Sequence, residues 1–317
     1  MDIDTAHILA LRPSRNRVDP WKPHGSFIER ECAASGSVDD VATILLTNSE
    51  CPFKCLFCDL WKNTTIDATP RGAIPAQIEF ALAQLAARHP DRAPRHIKLY
   101  NSGNFFDRRA IPVEDHDAIA GRVRGFETVI VENHPRLCGD ECVRFRDRIA
   151  PAQLEVAVGL ETANPDVLRR LNKGMTVEDV AAAAEFLHTN GIATRAFVLL
   201  RPPFLDETAG VAWALRSIDF AFNAGMRCCS VIPTRSGNGV MDRLERDGVF
   251  EKPQLMSLET VVETALDWKQ GRVFADLWNA AEFGRCADCT PRRVARLEQM
   301  NLTQRPIPPV VCDVCRH

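Results

Sequence analysis

The chain has 317 residues, 45% of them hydrophobic and 26% charged, with a formal net charge of −3. That length suits one α/β barrel with an appendage, and the near-neutral charge excludes a molecule that binds polyanions with its whole surface. No apolar run is long enough for a transmembrane helix. The opening MDIDTAHILALRPSRNR places its arginines after a very short apolar run, which is wrong for a secretory signal, so a cytoplasmic location is expected.

Residues 1–37 carry Pro, Arg, Gly and Ser without periodicity and read as an irregular arm. VATILLT (41–47) is a short β-rich run, followed at once by the cysteine-bearing NSECPFKCLFCDLW. IPAQIEFALAQLAARH (74–89) has helical spacing, with Pro75 in its first turn. HIKLY (96–100) predicts a second strand, VEDHDAIAGRV a helix, ETVIVEN (127–133) a third strand and GDECVRFRDRIA another helix. QLEVAVGLE (153–161) is the fourth strand, and a helix over 176–190 stops at Gly191. IATRAFVLL (192–200), a helix over 206–225 and RCCSVIP (227–233) complete the regular part. A helix near 257–270, a short RVFADLW and a cysteine-bearing tail follow.

Strands alternating with helices in this way predict βαβ units and a parallel sheet. Six such strands fit an open (β/α)6 barrel or a doubly wound sheet, and periodicity does not choose between them. Either fold gathers functional groups at the C-terminal ends of its strands. Polar segments stand at those ends: the cysteines, NSGN, ENHP, ETAN and RPPF. The chain divides into the arm (1–37), the barrel (38–250) and a cysteine-rich extension (251–317).

Twelve cysteines in a chain with no export signal read as metal ligands or redox thiols rather than disulfides. Cys51, Cys55 and Cys58, spaced C-x3-C-x2-C, can hold three corners of a [4Fe–4S] cube and leave one iron without a protein ligand. The plainer readings are zinc with a remote fourth ligand, or three buried free thiols. Phe53, Phe57 and Trp61 would dry the site, and a low-dielectric shell tunes an iron–sulfur potential.

CPFKCLFC, directly after the first strand and with an aromatic before its last cysteine, resembles the signature of the radical S-adenosylmethionine (SAM) superfamily over roughly 38–250. The resemblance implies a [4Fe–4S] cluster whose open iron takes the amino and carboxylate groups of SAM. Reductive cleavage would then yield a hydrogen-abstracting 5′-deoxyadenosyl radical, fed by a reductant such as flavodoxin or ferredoxin. Phe57 would lie beside the adenine. Asn101, Ser102, Gly103 and Asn104 stand where the family commonly has Gly-Gly-Glu, the motif that holds the SAM amino group. Glu161 and Thr162 end strand four at the same mouth, with a SAM or substrate role or a helix-capping one. LLRPP and SVIP take the positions that members use for adenine, without a clear glycine motif.

GLETANPDVLRRLNKG is similar to the subgroup of tRNA methylthiotransferases and the Elongator catalytic subunit. From about 97 to 237, NSGNFFD, VENHP, VAVGLETAN, LNKGMTVEDVAAAAEF, AFVLLRPPF and RSIDFA resemble RaSEA, the archaeosine-forming family that breaks a carbon–nitrogen bond in a lysine adduct on a deazaguanine base in tRNA. A nucleoside-modifying lyase acting on tRNA is therefore expected, although the cysteine loop departs from that family's. An arm with only Cys32 leaves no room for the extra cluster domain of a methylthiotransferase, and an Elongator-type acetyltransferase domain does not fit either. The rivals are radical chemistry on a peptide or small metabolite with a second cluster passing electrons, and a non-catalytic metal protein.

In the tail, Cys286 and Cys289 pair with Cys312 and Cys315 as two C-x2-C knuckles 22 residues apart, a strong metal signal open to zinc or a second [4Fe–4S] cluster. Between them lie four arginines and one glutamate, read either as a phosphate-touching face that would suit RNA or as a solvated helix face. Cys138 and Cys142 read as a helical pair packing inward, with metal binding as the alternative. Cys228 and Cys229 alternate across a strand and read as core, with a catalytic thiol as the alternative. His134 is the histidine expected at the mouth, as a site residue or a structural imidazole.

Overall fold

A computed structural model describes residues 3–315. In chain order the elements are α1 (Thr5–Ala10), β1 (Gly25–Cys32), β2 (Val38–Leu45), α2 (Ala73–Arg88), β3 (His96–Tyr100), α3 (His116–Val123), β4 (Thr128–Asn133) and α4 (Asp140–Ile149). They continue with β5 (Gln153–Glu161), α5 (Pro165–Arg170), α6 (Val177–Thr189), β6 (Ala193–Leu200), α7 (Glu207–Asn223), β7 (Cys228–Pro233), α8 (Val240–Arg246), α9 (Leu255–Asp267), β8 (Arg272–Ala275) and α10 (Thr290–Thr303). The strands lie side by side in chain order, β2 to β8 parallel and β1 antiparallel to β2. The result is a curled half-barrel of eight strands.

The six predicted strands are β2 to β7, and the sheet gains one strand at each edge. The arm is irregular over 11–24 but carries two elements: Asp4 caps α1, and 25–32 form β1. That strand was hidden because Glu29 and Glu31 occupy its inward positions, where the alternation pattern looks for apolar residues. Lys98 meets both carboxylates, at 2.9 Å and 2.5 Å, and Arg195 meets Glu31 and Glu155.

Period-two alternation sorts every parallel strand. Along β5, Leu154, Val156, Val158 and Leu160 enter the main apolar core with residues of α2, α4, α6, α7 and α9. Glu155, Ala157, Gly159 and Glu161 alternate with them and face the inner wall. The inner wall at the strands' N-terminal ends is ionic. Arg272 on β8 reaches Glu155 at 3.1 Å and donates to the Cys32 carbonyl on β1 at 3.1 Å, so side chains bridge the open seam there. Cys32, Cys228 and Phe274 pack together at the same level. No helix among the described residues is long and apolar enough to cross a membrane.

Candidate active site at the C-terminal mouth

The cysteine loop leaves β2 and is tied down from four directions. Leu56 N–H donates to the Leu171 carbonyl at 2.9 Å, and the Asn172 amide donates to the Lys54 carbonyl at 2.8 Å. The Asn238 amide donates to the carbonyls of Leu56 and Cys58, at 2.8 and 3.0 Å. Glu50, just before Cys51, collects Arg12, Arg15 and Lys54. Beneath the loop, Leu56 is buried against Ile8 of α1 and Val240, Met241 and Leu244 of α8. Trp61 is buried under the Arg12 guanidinium, and Phe53 stacks on the His134 ring at 3.7 Å between centroids.

Burial raises the thiol pKa of Cys51 and Cys58, and pushes that of Cys55 up to about 12. Without a metal these are neutral thiols, and binding one drives the protons off.

The NSGN turn follows β3. Glu132, on the inner face of β4, accepts from Asn101 N–H at 2.7 Å and Gly103 N–H at 3.4 Å, which fixes the turn's shape. Its surroundings push the Glu132 carboxyl up to about 7, against the pull of those amides. A Cβ on Gly103 would stand 3.4 Å from Cys51 Cβ, an ordinary contact distance, which places the turn directly beside the cysteine loop. Asn104 donates to Cys51 Sγ at 3.1 Å.

At the end of β5, Glu161 adopts φ 64° and forms a buried ion pair with Lys173. Burial works against the Lys173 charge, but Glu161, together with Cys55 and Cys51, offsets it and holds the pKa above the ordinary lysine value. The pair lies across Gly159, where any Cβ would overlap both side chains. Lys173 Nζ also stands 5.9 Å from the Phe57 ring centre. Phe57 is half-buried between two apolar clusters.

The structure thus gathers Cys51, Cys55, Cys58, Phe57, Asn101–Asn104 and Glu161 around one mouth. Thr162 is buried there too, and its hydroxyl accepts from Asn164 N–H at 3.2 Å, a turn-holding contact. His134 is a structural imidazole: Nδ1 accepts from Arg136 N–H and Nε2 donates to the Lys173 carbonyl at 3.1 Å. Burial, helped by Lys173, lowers its pKa to about 3. In LLRPP, Arg201 is tied to Glu207 and Glu251. Sequence reasoning passed over Glu132 and Lys173. The signal for Glu132 was a carboxylate one residue from a parallel strand's C-terminal end, and for Lys173 a cation in the left-handed Asn172–Gly174 turn.

Elsewhere, Cys142 is buried in α4, and Cys228 and Cys229 are buried on opposite faces of β7. The four tail sulfurs converge to within 4.8 Å of one another, a set able to hold a metal ion. Two of the four tail arginines depart from both sequence readings, whereas Arg292 and Arg305 are exposed. Arg293 and Arg296 are neither solvated nor free for phosphate, because both are buried against Glu259 of α9.

Residues 46–212 match the Radical SAM superfamily. The chain belongs to that superfamily. It is accordingly an enzyme, and membership implies a [4Fe–4S] cluster and SAM. Among curated relatives, the archaeosine synthase subunit beta of Methanosarcina acetivorans is 30% identical over 204 residues, 60% of this chain and 58% of that one. The subunit beta of Thermococcus kodakarensis is 35% identical over 130 residues, 39% of this chain and 40% of that one. The chain thus spans little over half the length of the first and less of the second. The N-terminally truncated Elp3 of Methanocaldococcus infernus superposes with a TM-score of 0.52 at 14% identity, covering 83% of this chain and 63% of that one, a likeness of fold.

The mouth suits the two groups. Three thiols stand on one anchored loop, and beside them lie buried polar atoms without a partner among the described residues: Asn101 Nδ2 and Oδ1, Asn48 Oδ1 and Ser49 Oγ. Buried polar groups need partners, and a zwitterionic ligand provides them.

Proposed function

We propose that this radical SAM enzyme modifies a nucleoside in tRNA by cleaving a carbon–nitrogen bond. The observation that carries the reading is the 30% identity over 204 residues to an archaeosine synthase subunit, across a stretch that includes most of the barrel.

Cys51, Cys55 and Cys58 would hold the cluster. Reduced, the cluster supplies the electron that splits a carbon–sulfur bond of SAM and thereby a radical able to take hydrogen from the substrate. The chain's own residues bind, orient and keep the site dry. Asn101 offers an unpaired amide in the turn that Glu132 shapes, suited to the amino group of SAM. Lys173 offers the one charge that a buried carboxylate wants, with Glu161 keeping it protonated until then. Phe57, between two apolar clusters, offers a ring face to the adenine. Phe53 stacked on His134, and Trp61 under Arg12, keep water from the thiols.

The test is anaerobic: reconstitute iron and sulfide, reduce with dithionite, add SAM, and supply either tRNA carrying a lysine-adducted deazaguanine or a metabolite fraction. 5′-Deoxyadenosine and a shortened base with the tRNA, absent in the Cys51→Ala/Cys55→Ala/Cys58→Ala protein, is the expected result. Deoxyadenosine formed only with the metabolite fraction refutes the tRNA assignment while keeping the radical chemistry.

A further inference from the structure

The four tail cysteines left zinc and a second iron–sulfur cluster equally open on ligand type alone. Their spacing separates the two. Cys286 Sγ and Cys312 Sγ stand 3.9 Å apart, Cys289 Sγ and Cys315 Sγ 3.7 Å, and all four atoms lie within 4.8 Å of one another. A tetrahedron of thiolates at about 2.3 Å from one central ion has edges of about 3.8 Å. In a [4Fe–4S] cube each thiolate hangs from a different iron, so the four sulfurs stand much farther apart than these do.

We propose that the tail holds a single zinc ion on Cys286, Cys289, Cys312 and Cys315, and that this ion fastens α10 over the exposed edge of the barrel sheet. Four thiolates around a divalent ion carry a net charge of about −2. The surroundings answer it: Arg293 Nε donates to Cys289 Sγ at 3.3 Å from a buried position, as an outer-sphere partner should. The other arginines bring the returning chain back to the knuckle. Arg296 Nε donates to the carbonyls of Ile307 and Pro308, at 2.9 and 3.0 Å, and Arg292 donates to the Val311 carbonyl at 3.2 Å. Those contacts place Cys312 opposite Cys286.

The far end of α10 shows what the fastening achieves. β8 is the last strand of the sheet, and among the described residues one of its edges has no neighbouring strand. Asn301 accepts from Ala275 N–H at 2.8 Å and donates to the Ala275 carbonyl at 2.9 Å. Gln304 does the same for Val273, at 2.8 and 3.1 Å. Two side-chain amides on one helix thus replace a ninth strand and cover an edge that would otherwise pair with other chains. Zinc at one end of α10 and the amide contacts at the other make the helix a clasp on β8. The site is closed, with four protein ligands and no open position, which suits a structural ion rather than a substrate-binding one.

The first experiment uses whole protein bearing Cys51→Ala, Cys55→Ala and Cys58→Ala, purified anaerobically from cells supplied with both metals, so that remaining metal belongs to the tail. We expect about one zinc per chain, no stoichiometric iron, and zinc K-edge absorption showing four sulfurs at about 2.3 Å. Iron and sulfide near four per chain, or a single iron in place of zinc, overturns the proposal. If that protein fails to fold, the wild type decides: about four irons with one zinc supports it, and about eight irons without zinc refutes it. The clasp is tested by hydrogen exchange in wild-type protein before and after zinc is stripped with a chelator. Val273 and Ala275 amides should exchange roughly tenfold faster or more while β4 and β5 hold their protection. Unchanged exchange at both after demonstrated zinc loss rules out the clasp.

Discussion

His116 shows how a single residue's environment sets both its charge and its cost. It is buried in a ring of Phe105, Phe106 and Phe145, and neither ring nitrogen has a partner among the described residues. Burial, with Arg148 adding to it, lowers its pKa from 6.5 to about 4. Between those values the unfolded chain binds a proton that the folded one refuses, so stability falls as pH drops from 6.5 towards 4. His116→Phe removes both the unpaired nitrogens and that penalty. We expect it to stabilise the fold by about 1–2 kcal/mol at pH 8 and by more at pH 5, read from urea unfolding at the two pH values. A loss of stability at pH 8 would show that the ring nitrogens have partners after all. At the mouth, Lys173→Met leaves Glu161 charged and alone in the interior, a change worth about 3–5 kcal/mol of destabilisation. Equilibrium unfolding measures it, and if the double variant with Glu161→Gln recovers none of the loss, the two groups are not the coupled pair described.

At the scale of elements, the sequence made the middle of the sheet legible and its edges obscure. β2 to β7 are buried on both faces or nearly so, and a buried parallel strand reads as a short apolar run whatever surrounds it. β1 and β8 lie where the inner wall is ionic, and Glu29, Glu31 and Arg272 look like surface residues until their partners are known. Those partners, Lys98, Arg195 and Glu155, sit far away in sequence. Arg293 and Arg296 misled for the same reason, because Glu259 lies a whole element upstream. The site divides likewise: the cysteines carry their chemistry in their spacing, whereas Glu132 and Lys173 acquire meaning only once β4 and the turn after α5 are brought beside the loop. Asn238 is the clearest case of an anchor invisible in sequence. It caps α8 through Met241 N–H at 2.8 Å and, with its amide, holds the carbonyls of Leu56 and Cys58. Asn238→Asp keeps the cap but loses the donor. We expect a folded protein that binds iron but releases it to a chelator several-fold faster than wild type, measured by the decay of the cluster's visible absorbance. Release at the wild-type rate would mean that the remaining ties hold the loop without it.

The whole molecule is an open sheet that has to stay curled. Backbone ladders pair only chain neighbours from β1 to β8, so among the described residues none joins the first strand to the last. The curl at the closed end rests on α10 outside and on the ionic layer inside. In that layer Glu31 takes Lys98 and Arg195 directly, while Glu155 links Arg195 to Arg272. Burial alone would raise the Glu31 pKa, but the two cations outweigh it and hold the carboxyl far below the ordinary glutamate value of 4.5. An acid with a depressed folded pKa contributes stability that is fully present above its unfolded value, so the layer acts at neutral pH and weakens as pH falls below about 4.5. Replacing one member strands the others: Glu31→Gln leaves Lys98 and Arg195 facing each other with only Glu29 and Glu155 to balance them. We expect a loss of about 3–5 kcal/mol at pH 7 and a smaller gap between variant and wild type at pH 4, where the wild-type advantage is draining away. Because β1 reaches β8 through this layer, the variant should also expose its seam, seen as faster exchange at β1 and β8 amides than at β4 and β5. A loss that is the same at both pH values and spread evenly over the strands would mean that the charge on Glu31 is not what holds the barrel curled.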